Sequence, residues 1–194
     1  MFSIVVIGAS AGGLPPLRYL VEALPIPCAA SIFVVMHIGA NRSSLPALLT
    51  RPGLPSEFAQ DGTLIESGHL YIAPPDQHMV LEPGWIRLNR DIKVNFTRPA
   101  ADPLFESAAA AYGSRVVGIV LSGGGRDGAL GLRMIKAKGG MVFIQHPSEA
   151  QFPSMPQTAI AADDPDACLT ISQIARRMAT LCECSHEKFT GHAQ

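Results

Sequence analysis

Three short, uninterrupted apolar runs constrain this chain more than any other feature: Ser3 to Ile7, Ser31 to Met36 and Val116 to Leu121. All three are rich in β-branched residues. A strand with one wet face alternates apolar and polar residues. A continuous run belongs to a strand covered on both faces, as in a parallel sheet between two layers of helices.

The segments between the runs supply those helices. Pro15 and Pro16 fit a first helical turn, where a missing N–H costs nothing, and that helix is expected to end near Leu24. Short helices are expected at Ser44 to Thr50 and Pro156 to Ala161, with longer ones from Asp127 to Lys138 and Ile171 to Leu181. Asp102-Pro103 reads as an N-cap followed by the first helical position of a helix through Ala111. Met141 to Gln145 is a further strand. His69 to Ala73 and His78 to Asn89 are shorter strands, and Pro83-Gly84 is the turn of an antiparallel hairpin. The expected architecture is one α/β domain, doubly wound and mostly parallel, with helices on both faces and an appended hairpin.

Composition supports a single folded unit. The 194 residues are 47% hydrophobic and 16% charged, enough to bury a core. A net charge of −1 gives no electrostatic reason to expect nucleic acid or an anionic membrane surface. No apolar run is long enough to span a bilayer, and the first ten residues lack signal-peptide features, so a cytoplasmic protein is expected. The cysteines, at 28, 168, 182 and 184, form no Cys-x-x-Cys pair and are expected to stay reduced. Cys182, Cys184, His186 and His192 cluster near the C-terminus. With little apolar sequence to anchor them, they read as a frayed tail over 183–194 in preference to a metal site.

Ligands of parallel sheets bind beyond the carboxyl ends of the strands. Three polar residues stand there: Ser10 after the first run, His37 after the second, and Asp127 after the glycine turn that follows the third. Together they have the composition of a Ser-His-Asp triad, which is defined by geometry and role and not by chain order. Ser10 lies in Gly8-Ala9-Ser10-Ala11-Gly12, a Gly-x-Ser-x-Gly turn between strand and helix. The small neighbours let a substrate approach the hydroxyl, and the Ala11 N–H is placed for an oxyanion. The same turn also suits a dinucleotide phosphate. Against that reading, Ser10 replaces the second glycine of Gly-x-Gly-x-x-Gly, and His37 stands where an acidic residue belongs. Each residue also has a plain alternative. His37 is then a satisfied strand-end histidine, with His78 as a rival base. Asp127 is then the N-cap of its own helix. Arg98 is either a surface charge or a holder of acidic substrate at the cleft edge. Gly124 and Gly125 offer further N–H groups.

Several stretches in order resemble the catalytic domain of the chemotaxis protein-glutamate methylesterases, the CheB family. They are Val-Ile-Gly-Ala-Ser-Ala-Gly-Gly-Leu at 6–14, Ala23-Leu24-Pro25, and Phe33 to His37. Tyr71-Ile72-Ala73-Pro74, His78-Met79 and Arg98-Pro99 follow, with Asp102, Leu104-Phe105 and Ser107. The series continues through Leu121-Ser122-Gly123, Asp127-Gly128-Ala129, Gly131, Gly139-Gly140 and Gln145 to Met155-Pro156 and Ala159. The resemblance spans about residues 3–180 and implies a Rossmann-like domain over 1–182.

It also implies a cytoplasmic hydrolase of glutamate γ-methyl esters on a methyl-accepting chemoreceptor, with glutamine deamidation as a second activity. The implied triad is Ser10, His37 and Asp127, and no cofactor or metal is called for. The alternatives are a non-catalytic signalling interaction domain and a nucleotide-binding module. Gly124 stands where the family usually has methionine in Leu-Thr-Gly-Met-Gly. Phe152-Pro153-Ser154 stands where glycine is common. Many members also carry an N-terminal receiver domain, and its lack of counterpart here sets an expectation of activity without a phosphodonor.

Overall fold

A computed structural model describes residues 4–38, 43–162 and 165–183. The three apolar runs become β1 (Ile4–Ala9), β2 (Ser31–Met36) and β7 (Val116–Val120), fully buried along their lengths. They form the centre of a seven-stranded parallel sheet of order β3-β4-β2-β1-β7-β8-β9. The remaining members are β3 (Ser56–Phe58), β4 (Leu70–Ile72), β8 (Met141–Gln145) and β9 (Ala167–Leu169). The doubly wound architecture expected from the apolar runs is the one observed. Two edge strands, β3 and β9, are additions to the expectation.

Helices cover both faces. On one side lie α1 (Leu14–Glu22), α2 (Leu45–Leu49) and α6 (Ile171–Cys182), packed on Val5, Ile7, Ile32 and Val34. On the other lie α3 (Ala101–Tyr112), α4 (Ala129–Ala137) and α5 (Ser154–Ala162), packed on Val6, Phe33, Val35 and Val120. Odd and even positions of each strand thus feed separate cores, which is why the runs carry no charged residue. The hairpin β5 (His78–Glu82) and β6 (Trp85–Asn89) forms as read, around Pro83-Gly84, and packs on the α3 side.

Three sequence expectations are revised. Asp102 is not an N-cap: α3 begins at Ala101 with Ala100 as its cap residue, and Asp102 sits buried in the first turn. Asp127 does not cap its own helix either, since Gly128, at φ +89°, is the cap residue of α4. Cys182 is no part of a tail, because it is fully buried at the end of α6. Cys184, His186 and His192, and all of the expected tail except Glu183, lie outside the described residues.

From β1 the chain moves outward through β2, then returns to place β7 on the other flank of β1. That reversal opens a crevice at the carboxyl ends of β1 and β7, the usual ligand position in such sheets.

Candidate active site

Ala9 of β1 pairs in register with Met36 of β2, so Ser10 and His37 leave adjacent strand ends side by side. The His37 N–H donates to Ala9 O across 3.1 Å, fixing that step. On the other flank, the Ser10 N–H donates to Ser122 O across 3.0 Å, and Ser122 Oγ donates to Ala11 O across 2.9 Å. The Ser10 turn is therefore sewn to the end of β7. Gly12 takes φ +70° inside this turn, a conformation open to glycine at little cost. Gly123 is required by closeness: a Cβ there would meet the sulfur of Met155 and lie 2.8 Å from Ser10 Cβ.

Asp127 reaches this edge from the loop between β7 and α4. Its Oδ2 lies 2.7 Å from His37 Nε2, with both side chains largely buried. The same Oδ2 accepts the Ala101 N–H at 2.6 Å, and Oδ1 accepts the Asp102 N–H at 3.2 Å. Asp127 thus caps α3 from across the fold, and the positive end of that helix adds to its stabilisation as an anion. Burial pushes its carboxyl up, but the hydrogen bonds from His37 and Ala101 prevail and hold it below the ordinary carboxylate value. An ionised carboxylate only accepts, so His37 Nε2 carries the proton and Nδ1 is left as the basic nitrogen. Thr97 Oγ1 stands 3.4 Å from the same Nε2 and itself donates to Val94 O at 3.1 Å.

The Ser10 hydroxyl has no hydrogen-bond partner among the described residues. The His37–Asp127 pair is thus assembled while the hydroxyl is free to turn. Ala11, Gly124 and Gly125 have N–H groups with no acceptor among the described residues, as an oxyanion site requires. Gly123 does not share this property, because its N–H is spent on Phe152 O at 2.9 Å. Gly124 has open space where a Cβ would stand, so the absent methionine leaves no packing defect behind it.

Arg98 lines a cavity of about 140 Å³ with His37, Asp76, Lys93, Phe96, Thr97 and Pro99. Its nitrogens are already engaged: Nε and Nη2 bind Asp76 Oδ1 at 3.0 and 2.8 Å, and Nη1 binds Arg90 O and Asp91 O at 3.0 and 2.8 Å. Arg98 therefore clamps the cavity wall. His78 is remote from this work, with Nε2 3.1 Å from Ile92 O and Nδ1 accepting the Ala100 N–H.

Sequence reasoning missed Asn95 and the buried part played by Asp102. Asn95 Nδ2 donates to Asp102 Oδ2 at 2.8 Å and Asp127 Oδ1 at 3.1 Å, while Arg126 Nε donates to Asn95 Oδ1 at 3.0 Å. Asp102 Oδ1 also accepts the Gly131 N–H at 2.8 Å. Burial raises the Asp102 carboxyl, the Gly131 N–H opposes that rise, and the charge of Asp127 adds to it. The one sequence signal for Asn95 was its residue type, since asparagine tolerates the left-handed backbone it adopts at φ +50°.

A strand-to-helix turn presenting serine, a neighbouring histidine held by a buried aspartate, and free N–H groups beside them define an α/β fold with the parts of a serine hydrolase. The comparisons make the class particular. Residues 5–178 match the family model described as CheB methylesterase, and the chain belongs to that family. A Leptospira interrogans relative named putative protein-glutamate methylesterase/protein-glutamine glutaminase is 34% identical over 177 residues, covering 90% of this chain and 92% of its own. A Pyrococcus horikoshii relative named protein-glutamate methylesterase/protein-glutamine glutaminase is 36% identical over 176 residues; the match takes in 88% of this chain but 48% of that one. The crystal structure of the Thermotoga maritima CheB methylesterase catalytic domain superposes with a TM-score of 0.86 at 31% identity, covering 93% of this chain and 99% of the other.

Proposed function

We propose that this chain hydrolyses glutamate γ-methyl esters on a methylated chemoreceptor, with Ser10 as nucleophile, His37 as general base and Asp127 as its orienting carboxylate. The observation that carries the assignment is the 2.7 Å contact between His37 Nε2 and Asp127 Oδ2 at the strand end beside Ser10. His37 Nδ1 accepts the Ser10 proton as Oγ attacks the ester carbonyl. The N–H groups of Ala11, Gly124 and Gly125 face the negative oxygen, and each such donor is worth about 3 kcal/mol in the transition state. Methoxide takes the proton from His37 and leaves as methanol. Water, deprotonated by the same nitrogen, then splits the acyl-enzyme to give a glutamate carboxylate and free Ser10.

The relatives' names also carry a glutaminase activity. The same acyl-enzyme serves it, with ammonia in place of methanol. No described helix is long and apolar enough to cross a membrane. A nucleotide-binding reading gains nothing from the site: Ser10 occupies the turn, and a protonated His37 Nε2 bound to Asp127 points to acyl transfer.

The test is methanol release from a methylated receptor fragment by the wild type and Ser10→Ala. The expected result is loss of release in Ser10→Ala with an unchanged melting temperature. Turnover near the wild-type rate in that variant removes Ser10 as nucleophile.

A further inference from the structure

The turn that sends Asn95 into the site sends its neighbour outward. Phe96 is 92% exposed, and Ile92 of the same loop is 87% exposed. Phe96 also takes φ +66°, a left-handed backbone that bulky residues avoid. Among the described residues, the non-glycine positions with positive φ are Asp76, Asn95 and Phe96. Asp76 and Phe96 line the cavity that holds His37, and Asn95 binds Asp127. Asp and Asn tolerate this backbone but phenylalanine does not, and nothing in the packing of an exposed phenyl ring returns its cost, which points to use.

The loop is built to hold that ring still. Val94 and Thr97 exchange backbone hydrogen bonds of 3.1 and 2.9 Å across the Asn95–Phe96 turn. Asn95 is tied to two carboxylates, and Arg98 grips the carbonyls of Arg90 and Asp91. Lys93 lies on the same cavity wall as Phe96. Of the loop's other charges, Arg90 and Asp91 are both exposed, while Asp76 is engaged by Arg98.

Resting on the methylesterase reading above, we propose that Phe96 and Lys93 form a docking lip for the receptor segment. Phe96 anchors an apolar side chain of the segment that carries the ester glutamate, and Lys93 faces the acidic side chains around it. The charge match follows from the reaction, since every hydrolysed site becomes a glutamate carboxylate.

The experiment measures KM and kcat for methanol release from a methylated receptor fragment, with p-nitrophenyl acetate hydrolysis and thermal melting alongside. Phe96→Asn is expected to raise KM about fivefold or more, as loss of an anchor does, with kcat within about twofold. Its melting temperature is expected to hold or rise, because asparagine accepts φ +66° more readily than phenylalanine. Phe96→Tyr should restore the wild-type KM. Lys93→Glu should raise KM, with an effect that shrinks as salt is added. An unchanged KM in Phe96→Asn overturns the lip alone, as does a joint fall of kcat and melting temperature. Wild-type protein that cleaves p-nitrophenyl acetate but releases no methanol from the receptor overturns the receptor reading and the lip with it.

Discussion

The side-chain amide of Asn95 donates to Asp127 Oδ1 across 3.1 Å. The same nitrogen donates to Asp102 at 2.8 Å, so one neutral amide bridges two buried carboxylates. Asn95→Ala leaves both short of a donor and frees Asp127 to turn away from His37. The expected result is a fall in kcat of about tenfold, the scale of a lost supporting hydrogen bond. Asn95→Asp is expected to do worse, because it brings a third carboxylate to a site whose neighbouring cation is Arg126. Like charges raise the folded-state pKa of such acids, so their penalty is absent in acid and grows as pH rises. Denaturant unfolding should therefore find Asn95→Asp less stable than Asn95→Ala at neutral pH, with the gap closing below the carboxylate range.

Asp127→Asn is expected to lose both rate and stability. An N-cap position tolerates Asn as well as Asp, but here both oxygens are in use. Oδ2 takes His37 and Ala101, and Oδ1 takes Asp102 and Asn95. An amide nitrogen in either place faces donors, and each buried donor left without a partner costs about 1–3 kcal/mol. The wrong histidine tautomer lowers kcat by about 10⁴ in comparable triads. The sign with pH follows from the lowered carboxyl. A depressed folded-state pKa contributes stability that is complete above the unfolded value, about 3.9, and is lost as pH falls through the folded one. Unfolding curves at neutral and acid pH should show the wild type's advantage over Asp127→Asn shrinking in acid.

How far the sequence reached depends on which pattern each residue belonged to. β1, β2 and β7 were legible because unbroken apolar runs have one good explanation in a chain this short. β3 and β9 were not: each has three residues of intermediate or high exposure at a sheet edge, with no run to mark it. Ser10 and His37 followed from their strands. Asn95 lies in a loop without period, and its role exists only through Asp102 and Asp127, distant in sequence. Asp102 was placed in the wrong part of its helix because Asp-Pro is a general cap signal. Here the cap comes from Asp127, which no local pattern could supply.

Adjacent glycines at 123 and 124 should respond differently to alanine. At Gly123 the new methyl meets the sulfur of buried Met155 and the Cβ of Ser10 at 2.8 Å. Overpacking of this kind costs about 1–3 kcal/mol, and the displaced Ser10 should lower kcat by about 10²-fold. At Gly124 the methyl enters open space without positive φ, so stability should stay within about 0.5 kcal/mol. Melting temperature and single-turnover rate for the two variants decide the point. Equal losses at both positions would remove the close-approach explanation.

Arg98→Lys tests whether this side chain works as a clamp or as a substrate contact. A lysine ammonium carries charge but cannot reproduce a planar fork that reaches Asp76, Arg90 O and Asp91 O together. As a clamp, Arg98 holds the loop from Arg90 to Thr97, which bears Asn95 on one side of the turn and Phe96 on the other. Its loss should then loosen that segment first. Amide hydrogen exchange at Val94 and Thr97, which pair across the turn, should quicken in Arg98→Lys while exchange in β1 and β7 stays at the wild-type rate. Turnover should fall with it, because Asn95 no longer steadies Asp127. If Arg98 instead meets substrate directly, KM rises while exchange at Val94 and Thr97 is unchanged.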